Sequence, residues 1–416
     1  MNSPQSASPL PLSALLAMAM TGFIGIMTET LPAGLLPQIA AGLNVSQAMA
    51  GQLITLYAAG SLMAVIPLAA MTRGWNRRTA LLTAILGFLV FNTLTTFSTN
   101  YLVTLFARWM AGAAAGLAWG LLAGYARRMV PVHQQGRALS VAMLGAPVAL
   151  SVGVPLGTWM GTLLGWRMAF GVMSAVTLLL VVWVMRKVPD YPGQAAGQRQ
   201  SLRHVIMMPG VRSILAVILL WMLTHNLLYT YIVPFLTLSG LAERADQILL
   251  VFGIGALAGI AFTGLQVDKR LRKTLLASLT LFALISLGLA LDGHSPLMVT
   301  LCVAIWGLTF GGAATLLQTA IADATGEQGD MAQSLVVVSW NLAIAGGGLS
   351  GGILLNTAGV GIFPWTMLVL LLLLAALIIA WCAKRHGFKP GARYAENPKD
   401  PVAEGQDQSF ASSERV

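Results

Sequence analysis

Residues 361–383 read GIFPWTMLVLLLLLAALIIAWCA, a stretch without a single charged side chain. At about 1.5 Å of rise per residue, a helix of this length crosses a hydrocarbon core of about 30 Å. The stretch is continuously apolar and lacks the alternation of apolar and polar residues that is typical of a barrel strand. It therefore predicts a transmembrane α-helix.

The rest of the chain repeats this pattern. Hydrophobic residues make up 57% of the 416 residues and charged residues 9%, whereas a soluble chain carries about 25% charged residues to face water. In lipid, the backbone satisfies its hydrogen bonds within helices. Further apolar runs lie at about 12–37, 48–71, 79–98, 101–126, 138–163, 167–186, 211–236, 245–266, 274–293, 296–322 and 332–356. The sequence thus predicts an all-α membrane protein with twelve transmembrane helices.

The basic residues lie mostly on one side of the predicted helices. The net charge is +10, and all but three of the 24 Lys and Arg residues fall in loops or a tail that share that side. Arg167 and Arg244 lie on the opposite side, and Arg108 lies within a predicted helix. Because short loops rich in Lys and Arg stay in the cytoplasm, we expect both termini to be cytoplasmic, in a protein of the cell inner (plasma) membrane. This topology accounts for the charge, so lipid is the expected surrounding and no nucleic-acid partner is expected.

The twelve predicted helices divide into two six-helix halves. Residues 1–186 would form the first bundle, 187–210 a polar cytoplasmic linker, 211–383 the second bundle and 384–416 a disordered cytoplasmic tail. Three matches relate the halves: Trp119-Gly120-Leu121 to Trp306-Gly307-Leu308, Arg77-Arg78 to Arg272-Lys273, and the pair Gly153 and Gly157 to Gly348 and Gly352. Parallel repeats of this kind favour alternating access, in which two bundles rock about a central site.

Four stretches carry a resemblance to a known family. They are residues 28–37 (TETLPAGLLP), 108–112 (RWMAG), 153–157 (GVPLG) with the following 165–167 (GWR), and 229–235 (YTYIVPF). On these motifs the chain resembles the major facilitator superfamily, and within it the twelve-span drug:proton antiporter branch that includes sugar and purine-ribonucleoside exporters. The resemblance implies a transporter of small molecules and protons, with helices 1, 4, 7 and 10 around a central cavity.

The resemblance also implies a charged gate in the loop after helix 2 and in its repeat after helix 8. The gating residues expected there are Arg73, Arg77, Arg78, Asp268 and Arg272. Arg73 stands where the family pattern has an aspartate, whereas the second copy keeps Asp268. The charged gate of the first half therefore departs from the family pattern.

Two charged residues lie inside the predicted helices. Glu29 is about 25 Å along helix 1, and Arg108 is about 10 Å into helix 4 from the opposite side, so their depths differ by about 5 Å. A charge in the bilayer core costs at least about 2.5–3.5 kcal/mol on insertion scales, so such residues usually face the interior and function there. We predict that Glu29 and Arg108 couple transport to protons, directly paired or bridged by water. The alternative is an ion pair that only fixes helix packing.

Two ladders of small residues indicate close helix packing. Gly112, Gly116 and Gly120 follow Arg108 at intervals of four, on one face of helix 4. Gly153, Pro155 and Gly157 lie in helix 5, where the family resemblance implies an antiporter signature. The spacing alone is equally consistent with simple packing, so it does not diagnose antiport.

The second half is poorer in charge and richer in neutral polar and aromatic groups. Candidate substrate-binding residues are His225, Asn226, Tyr229, Tyr231, Gln318 and Asn341. Neutral donors, acceptors and aromatic faces suit an uncharged or amphipathic ligand. For each of these residues, a hydrogen bond between helices is an equally good interpretation.

These features favour proton-coupled efflux of small drug-like, sugar or nucleoside compounds by a monomer. Solute uptake by proton symport is the alternative within transport, because the same carboxylate could couple either direction. A polytopic membrane enzyme is a poorer interpretation, because the five histidines are scattered and offer no metal cluster. No Walker lysine motif is present, which argues against an ATP-driven pump. We expect no metal and no other cofactor.

Overall fold

The computed structural model describes residues 10–131, 134–193, 202–325 and 329–383, and within these ranges it contains helices and no strand. Twelve helices are long and apolar enough to cross a membrane. They are Leu12–Gly34, Gln47–Leu68, Arg77–Phe97, Tyr101–Arg128, Gln135–Leu164, Trp166–Lys187, Val211–Tyr229, Ala242–Val267, Arg270–Asp292, Pro296–Thr325, Ser334–Ala358 and Val360–Ile378, numbered span 1 to span 12 in that order. The predicted all-α membrane fold of twelve helices in two halves is confirmed.

Two predicted helices are broken near the end that lies opposite the Arg-rich loops. The first was predicted to run to residue 37 but ends at Gly34, and a short helix, Leu36–Leu43, follows. The seventh was predicted to run to residue 236 but ends at Tyr229, and the short helix Ile232–Leu236 follows. Each break lies close to a proline, which lacks the N–H that a continuous helix needs.

The backbones of neighbouring spans approach closely at glycines in both halves. In the first half, a methyl group added to Gly116 of span 4 would lie 2.8 Å from the Ser61 carbonyl oxygen of span 2, and one added to Gly112 would overlap the Tyr57 carbonyl. In the second half, Gly307 of span 10 faces the Phe252 carbonyl of span 8 in the same way. Close contact of this kind replaces the hydrophobic driving force that is absent between helices in lipid.

Span 5 packs against span 1 through its own glycines. Gly153 faces the Met27 sulfur, and Gly157 faces Leu31. Pro155 cannot donate to the carbonyl one turn before it, and the helix widens into a π-turn over Ala149–Gly153. The three residues singled out in this span therefore shape its contact with span 1.

The predicted packing role of Gly120 is wrong. Gly120 was predicted to continue the packing stripe of Gly112 and Gly116, but it is exposed and a methyl group added to it would meet nothing within 4 Å. The spacing of four places the glycines on one face, but contact also needs a second helix beside that face, and no described neighbour reaches a methyl group at Gly120.

The two halves contact each other through spans 2 and 11 and through spans 5 and 8. Gly348 of span 11 faces the Thr55 hydroxyl of span 2, and Gly253 of span 8 lies against the backbone of Ser151 in span 5. The repeat-related glycines thus differ in partner, because Gly153 packs within its own half whereas Gly348 packs across the halves. The predicted linker is described at residues 187–193 and 202–210, and the predicted tail lies outside the described residues.

We expect Gly112→Ala to lower the thermal melting temperature in detergent, because overpacking of a close contact costs about 1–3 kcal/mol. Gly120→Ala is the matched control on the same helix. It should leave the melting temperature unchanged or raise it, because Ala is favoured over Gly in a helix by about 0.5–1 kcal/mol. Equal melting temperatures for the two variants would contradict this account of the stripe.

Candidate functional site

Arg108 of span 4 is bound to the backbone of span 1. Its Nη2 donates a hydrogen bond to the carbonyl oxygen of Thr28, and the side chain is fully buried. In a regular helix that carbonyl would accept from the residue four positions later, but that residue is Pro32, which has no N–H. Arg108 therefore supplies the donor that the proline removes.

The surroundings of this contact hold the two groups in place. The Tyr57 hydroxyl donates to the Gly25 carbonyl at 2.8 Å, and the Asn92 amide donates to the Thr28 hydroxyl at 2.9 Å. The guanidinium carbon of Arg108 lies 4.9 Å from the centroid of the Tyr57 ring and 5.5 Å from that of Phe170. Such cation–π contacts stabilise a buried guanidinium without neutralising it.

Glu29 follows Thr28 directly and is 8% exposed. Its carboxylate and the Arg108 guanidinium are close enough to act on each other electrostatically, but no salt bridge within 4.0 Å joins them. Nε and Nη1 of Arg108 are buried and have no hydrogen-bond partner among the described residues. The direct pair considered from the sequence is therefore not formed, because the guanidinium is held by the Thr28 carbonyl instead.

Aromatic rings of the second half form a cluster, which we call the aromatic cluster. Its members are His225, Tyr229, Phe252, Trp306 and Phe310 of spans 7, 8 and 10. The rings of His225 and Phe310 are stacked, with centroids 3.6 Å apart and planes 10° from parallel. Trp306 packs on the cluster from span 10, with its centroid 5.1 Å from that of His225.

The aromatic cluster holds polar atoms that lack partners. His225 Nδ1, the Tyr229 hydroxyl and Trp306 Nε1 are buried without a hydrogen bond among the described residues. Buried polar groups are nearly always paired, so three such atoms in one cluster require an explanation. Tyr229 is also close enough to Glu29 for the carboxylate to act electrostatically on its hydroxyl. The Glu29 carboxylate of the first half and the Tyr229 hydroxyl of the aromatic cluster therefore lie within electrostatic range of each other.

Three other predicted ligand residues lie outside the cluster. The Asn226 amide donates to the Met222 carbonyl of its own helix at 2.8 Å, and the Asn341 amide donates to Val337 in the same way at 2.9 Å. Gln318 is exposed on span 10.

Tyr231 has a different position from the one expected of a ligand residue. Its hydroxyl donates to the Gly348 carbonyl at 2.8 Å, and it accepts from the Gln52 amide of span 2 at 3.3 Å. The Gln52 amide also lies 3.4 Å from the Gly348 carbonyl. Tyr231 thus joins the two halves, and it is fully buried between them at the end opposite the Arg-rich loops. We call Gln52, Tyr231 and Gly348 the latch.

The residues predicted to form the gate lie at the Arg-rich end. Nη2 of Arg77 donates to the Arg73 carbonyl at 2.8 Å, and the backbone N–H of Arg78 donates to a carboxylate oxygen of Asp190 at 3.1 Å. Arg272 is half-buried in span 9. The side chain of Asp268 lies outside the described part of the structure.

Sequence reasoning missed several of these residues. Phe252 and Phe310 look like ordinary membrane-helix residues, and Gln52 lies close to the start of the predicted helix 48–71, so only their contacts single them out. The sequence does contain one signal for the position of Tyr231, because Thr28-x-x-x-Pro32 in span 1 recurs as Thr230-x-x-x-Pro234 after span 7. This match places Glu29 and Tyr231 at equivalent positions, each directly after the threonine.

Twelve membrane-spanning helices in two repeated halves, with buried polar groups where the halves meet, define a polytopic membrane transporter. A family model described as Major Facilitator Superfamily matches residues 18–329 and 245–412. The chain therefore belongs to the major facilitator superfamily and is a multi-pass membrane protein rather than an enzyme.

Known relatives support this assignment. The chain is 28% identical over 370 residues to the purine ribonucleoside efflux pump NepI of Salmonella enteritidis PT4, covering 88% of this chain and 93% of that pump. It is 28% identical over 369 residues to NepI of Escherichia coli O157:H7, with the same coverage.

Solved structures share the fold. A bacterial homologue of the human lysosomal transporter Spinster, in an inward-facing and unoccupied conformation, matches with a TM-score of 0.68 at 14% identity, over 92% of this chain and 99% of that one. The human organic anion transporter MFSD10 (TETRAN) matches with a TM-score of 0.65 at 17% identity, over 89% of this chain and 100% of that one.

We expect Tyr231→Phe to loosen the contact between the halves at the latch. Loss of a hydrogen bond worth about 0.5–1.5 kcal/mol would raise the ratio of molecules open at the latch to molecules closed there about two- to tenfold. The measurement is the rate at which a water-soluble maleimide modifies Thr55→Cys, which lies beside Gly348. The rate should rise in the Tyr231→Phe background.

The matched control is Tyr101→Phe. Its hydroxyl donates to the Met49 carbonyl at 2.8 Å, and both residues belong to the first half. If both tyrosine variants change the labelling rate equally, the latch does not hold the halves together.

Proposed function

We propose that this transporter exports small uncharged, nucleoside-like molecules in exchange for protons. It would work in the cell inner membrane with both termini in the cytoplasm. The observation that carries the proposal is the buried Glu29 carboxylate, which lies near Arg108 and the aromatic cluster but has no ion-pair partner within 4.0 Å among the described residues. The NepI relatives support export and a purine ribonucleoside substrate, whereas drug-like compounds and sugars are the other substrates that the sequence motifs favour.

The proton-coupling step depends on two states of Glu29. When ionised, the carboxylate needs a counter-charge, because an isolated charge in the bilayer core is costly. Arg108 can supply it, since Nε and Nη1 are not otherwise engaged among the described residues. When protonated, Glu29 is neutral, and Arg108 is held by the Thr28 carbonyl. Arg108 keeps its charge throughout, so it can respond to the proton but cannot carry it.

The substrate would bind between Glu29 and the aromatic cluster. Planar heteroaromatic bases stack on aromatic rings and also need hydrogen-bond partners at their edges. The cluster offers both, because its rings carry His225 Nδ1, the Tyr229 hydroxyl and Trp306 Nε1 without partners. Phe310 is the half-buried member, so it would be the first ring that an entering base meets.

Alternating access would proceed by opening the latch. At the end opposite the Arg-rich loops, side-chain hydrogen bonds of Gln52 and Tyr231 join the two halves. If those loops are cytoplasmic, the structure is closed to the outside, which supports an inward-facing state. Breaking these bonds and closing the opposite end would release the substrate outwards.

We expect Glu29→Gln to abolish proton-driven accumulation of a purine ribonucleoside such as inosine in inverted vesicles, with at least about a tenfold loss of initial rate. The amide cannot exchange a proton, so binding should survive in detergent while coupling is lost. Glu243→Gln is the matched control, because Glu243 is exposed in the short turn Ala242–Arg244. Accumulation by Glu29→Gln at the wild-type rate would place the coupling group elsewhere.

We expect Phe310→Leu to weaken inosine transport through binding. Loss of a stacking contact worth about 1 kcal/mol should raise KM about fivefold and leave kcat within about twofold. Phe91→Leu is the control, because Phe91 is a half-buried phenylalanine that packs on Phe106 in the first half. An unchanged KM in Phe310→Leu would remove the aromatic cluster from the substrate site.

A further inference from the structure

The segment that follows span 6 is bound to the loop between spans 2 and 3. We call residues 188–193 the strap. The strap contains Asp190, which is one of only two acidic residues in the first 193 residues, the other being Glu29.

The strap caps the N-terminus of span 3. The first N–H groups of a helix have no partner within the helix. The residue before this helix is Asn76, whose side chain makes no capping bond to it. Instead, the N–H of Arg77 donates to the Tyr191 carbonyl at 2.8 Å, and the N–H of Arg78 donates to Asp190 Oδ1 at 3.1 Å. A carboxylate at this position also complements the positive end of the helix dipole.

The second carboxylate oxygen joins the strap to the loop. The Asn76 amide donates to Asp190 Oδ2 at 3.0 Å, so both oxygens of Asp190 are bound. Gly193 lies against the backbone of Gly74, where an added methyl group would come 2.5 Å from the Gly74 carbonyl carbon. The loop and the strap are thus in direct backbone contact.

The strap is also bound to the end of span 4. The Tyr125 hydroxyl donates to the Pro189 carbonyl at 2.6 Å, and Arg128 Nη1 donates to the Pro192 carbonyl at 3.0 Å. The rings of Tyr125 and Tyr191 meet edge to face, with centroids 5.8 Å apart. The strap therefore contacts span 3, span 4 and the loop before span 3 at the same time.

Asp190 is the one acidic residue that residues 1–193 contribute to the Arg-rich end. The charges of Arg73 and Arg128 act on Arg77, and Arg78 follows it directly. Like charges at this spacing repel one another, and no acidic residue of the loop itself offsets them. The balancing charge comes from the strap.

We propose that Asp190 is a positioning residue of the transport cycle. Its carboxylate docks the strap on span 3 and holds the Arg-rich loop in place while the halves move. This inference rests on the proposed transport function for its kinetic consequence, whereas the docking itself involves only the first half and the strap.

The docking is tested by the distance between spin labels at Pro192→Cys and Gly136→Cys, with both native cysteines replaced. Both positions are exposed, and Gly136 has open space around it. The wild-type background should give one narrow distance distribution, and so should Asp190→Glu. Asp190→Ala should broaden it. A narrow distribution in Asp190→Ala would overturn the docking role.

The kinetic consequence is tested by inosine transport in unlabelled variants. Asp190→Ala should lower kcat at least threefold with KM within twofold, and Asp190→Glu should keep more than half of wild-type kcat. The control Asp292→Ala, which removes an exposed carboxylate at the opposite end, should change neither. Wild-type kcat in Asp190→Ala would overturn the positioning role.

A variant that moves the carboxylate from position 190 to position 76 distinguishes docking of the strap from capping of span 3. Asn76→Asp combined with Asp190→Ala returns a carboxylate to the start of span 3 without the strap. We expect this double variant to regain thermal stability but neither the narrow distance distribution nor kcat. Recovery of kcat with the strap still undocked would show that Asp190 is only a helix cap. If the wild-type protein does not move inosine, the proposed function fails, whereas the distance measurement still decides the docking.

Discussion

The contact between Arg108 and the Thr28 carbonyl is the interaction on which the rest of the site depends. In lipid every backbone group must find a partner within the protein, and Pro32 leaves this carbonyl without one. Arg108 reaches it from span 4, with its guanidinium against the rings of Tyr57 and Phe170. Because Glu29 is the next residue after Thr28, the same contact fixes where the carboxylate lies relative to the positive charge.

The two halves use one architecture for different chemistry. Spans 2 and 4 approach through glycines, and spans 8 and 10 do so in the same way. The first half then places charge in the core, whereas the second places an aromatic cluster opposite it. The threonine–proline repeat makes this divergence visible at single positions, because Glu29 and Tyr231 follow equivalent threonines. One is a carboxylate in the core, and the other is a hydroxyl in the latch.

The Arg-rich end shows how a missing charge is supplied from another part of the chain. Arg73 departs from the family pattern, in which an aspartate lies in the loop. The structure places the Asp190 carboxylate beside that loop, bound to the first turn of span 3. A carboxylate on the strap can offset the arginines as well as one within the loop, because electrostatic interaction depends on distance and not on chain order.

The sequence by itself determined the number of helices and their division into two halves, because hydrophobic length and repeated motifs are local properties of the chain. It also singled out Glu29, Arg108, His225 and Tyr229 as candidate site residues, since polar residues deep in apolar helices are conspicuous. Only the tertiary structure decided their partners. In the structure Arg108 binds the Thr28 carbonyl and not Glu29, and Tyr231 is part of the latch. Gly120 has no packing partner among the described residues. Each of these outcomes depends on which helix lies beside a given face, and residue spacing along one helix does not contain that information.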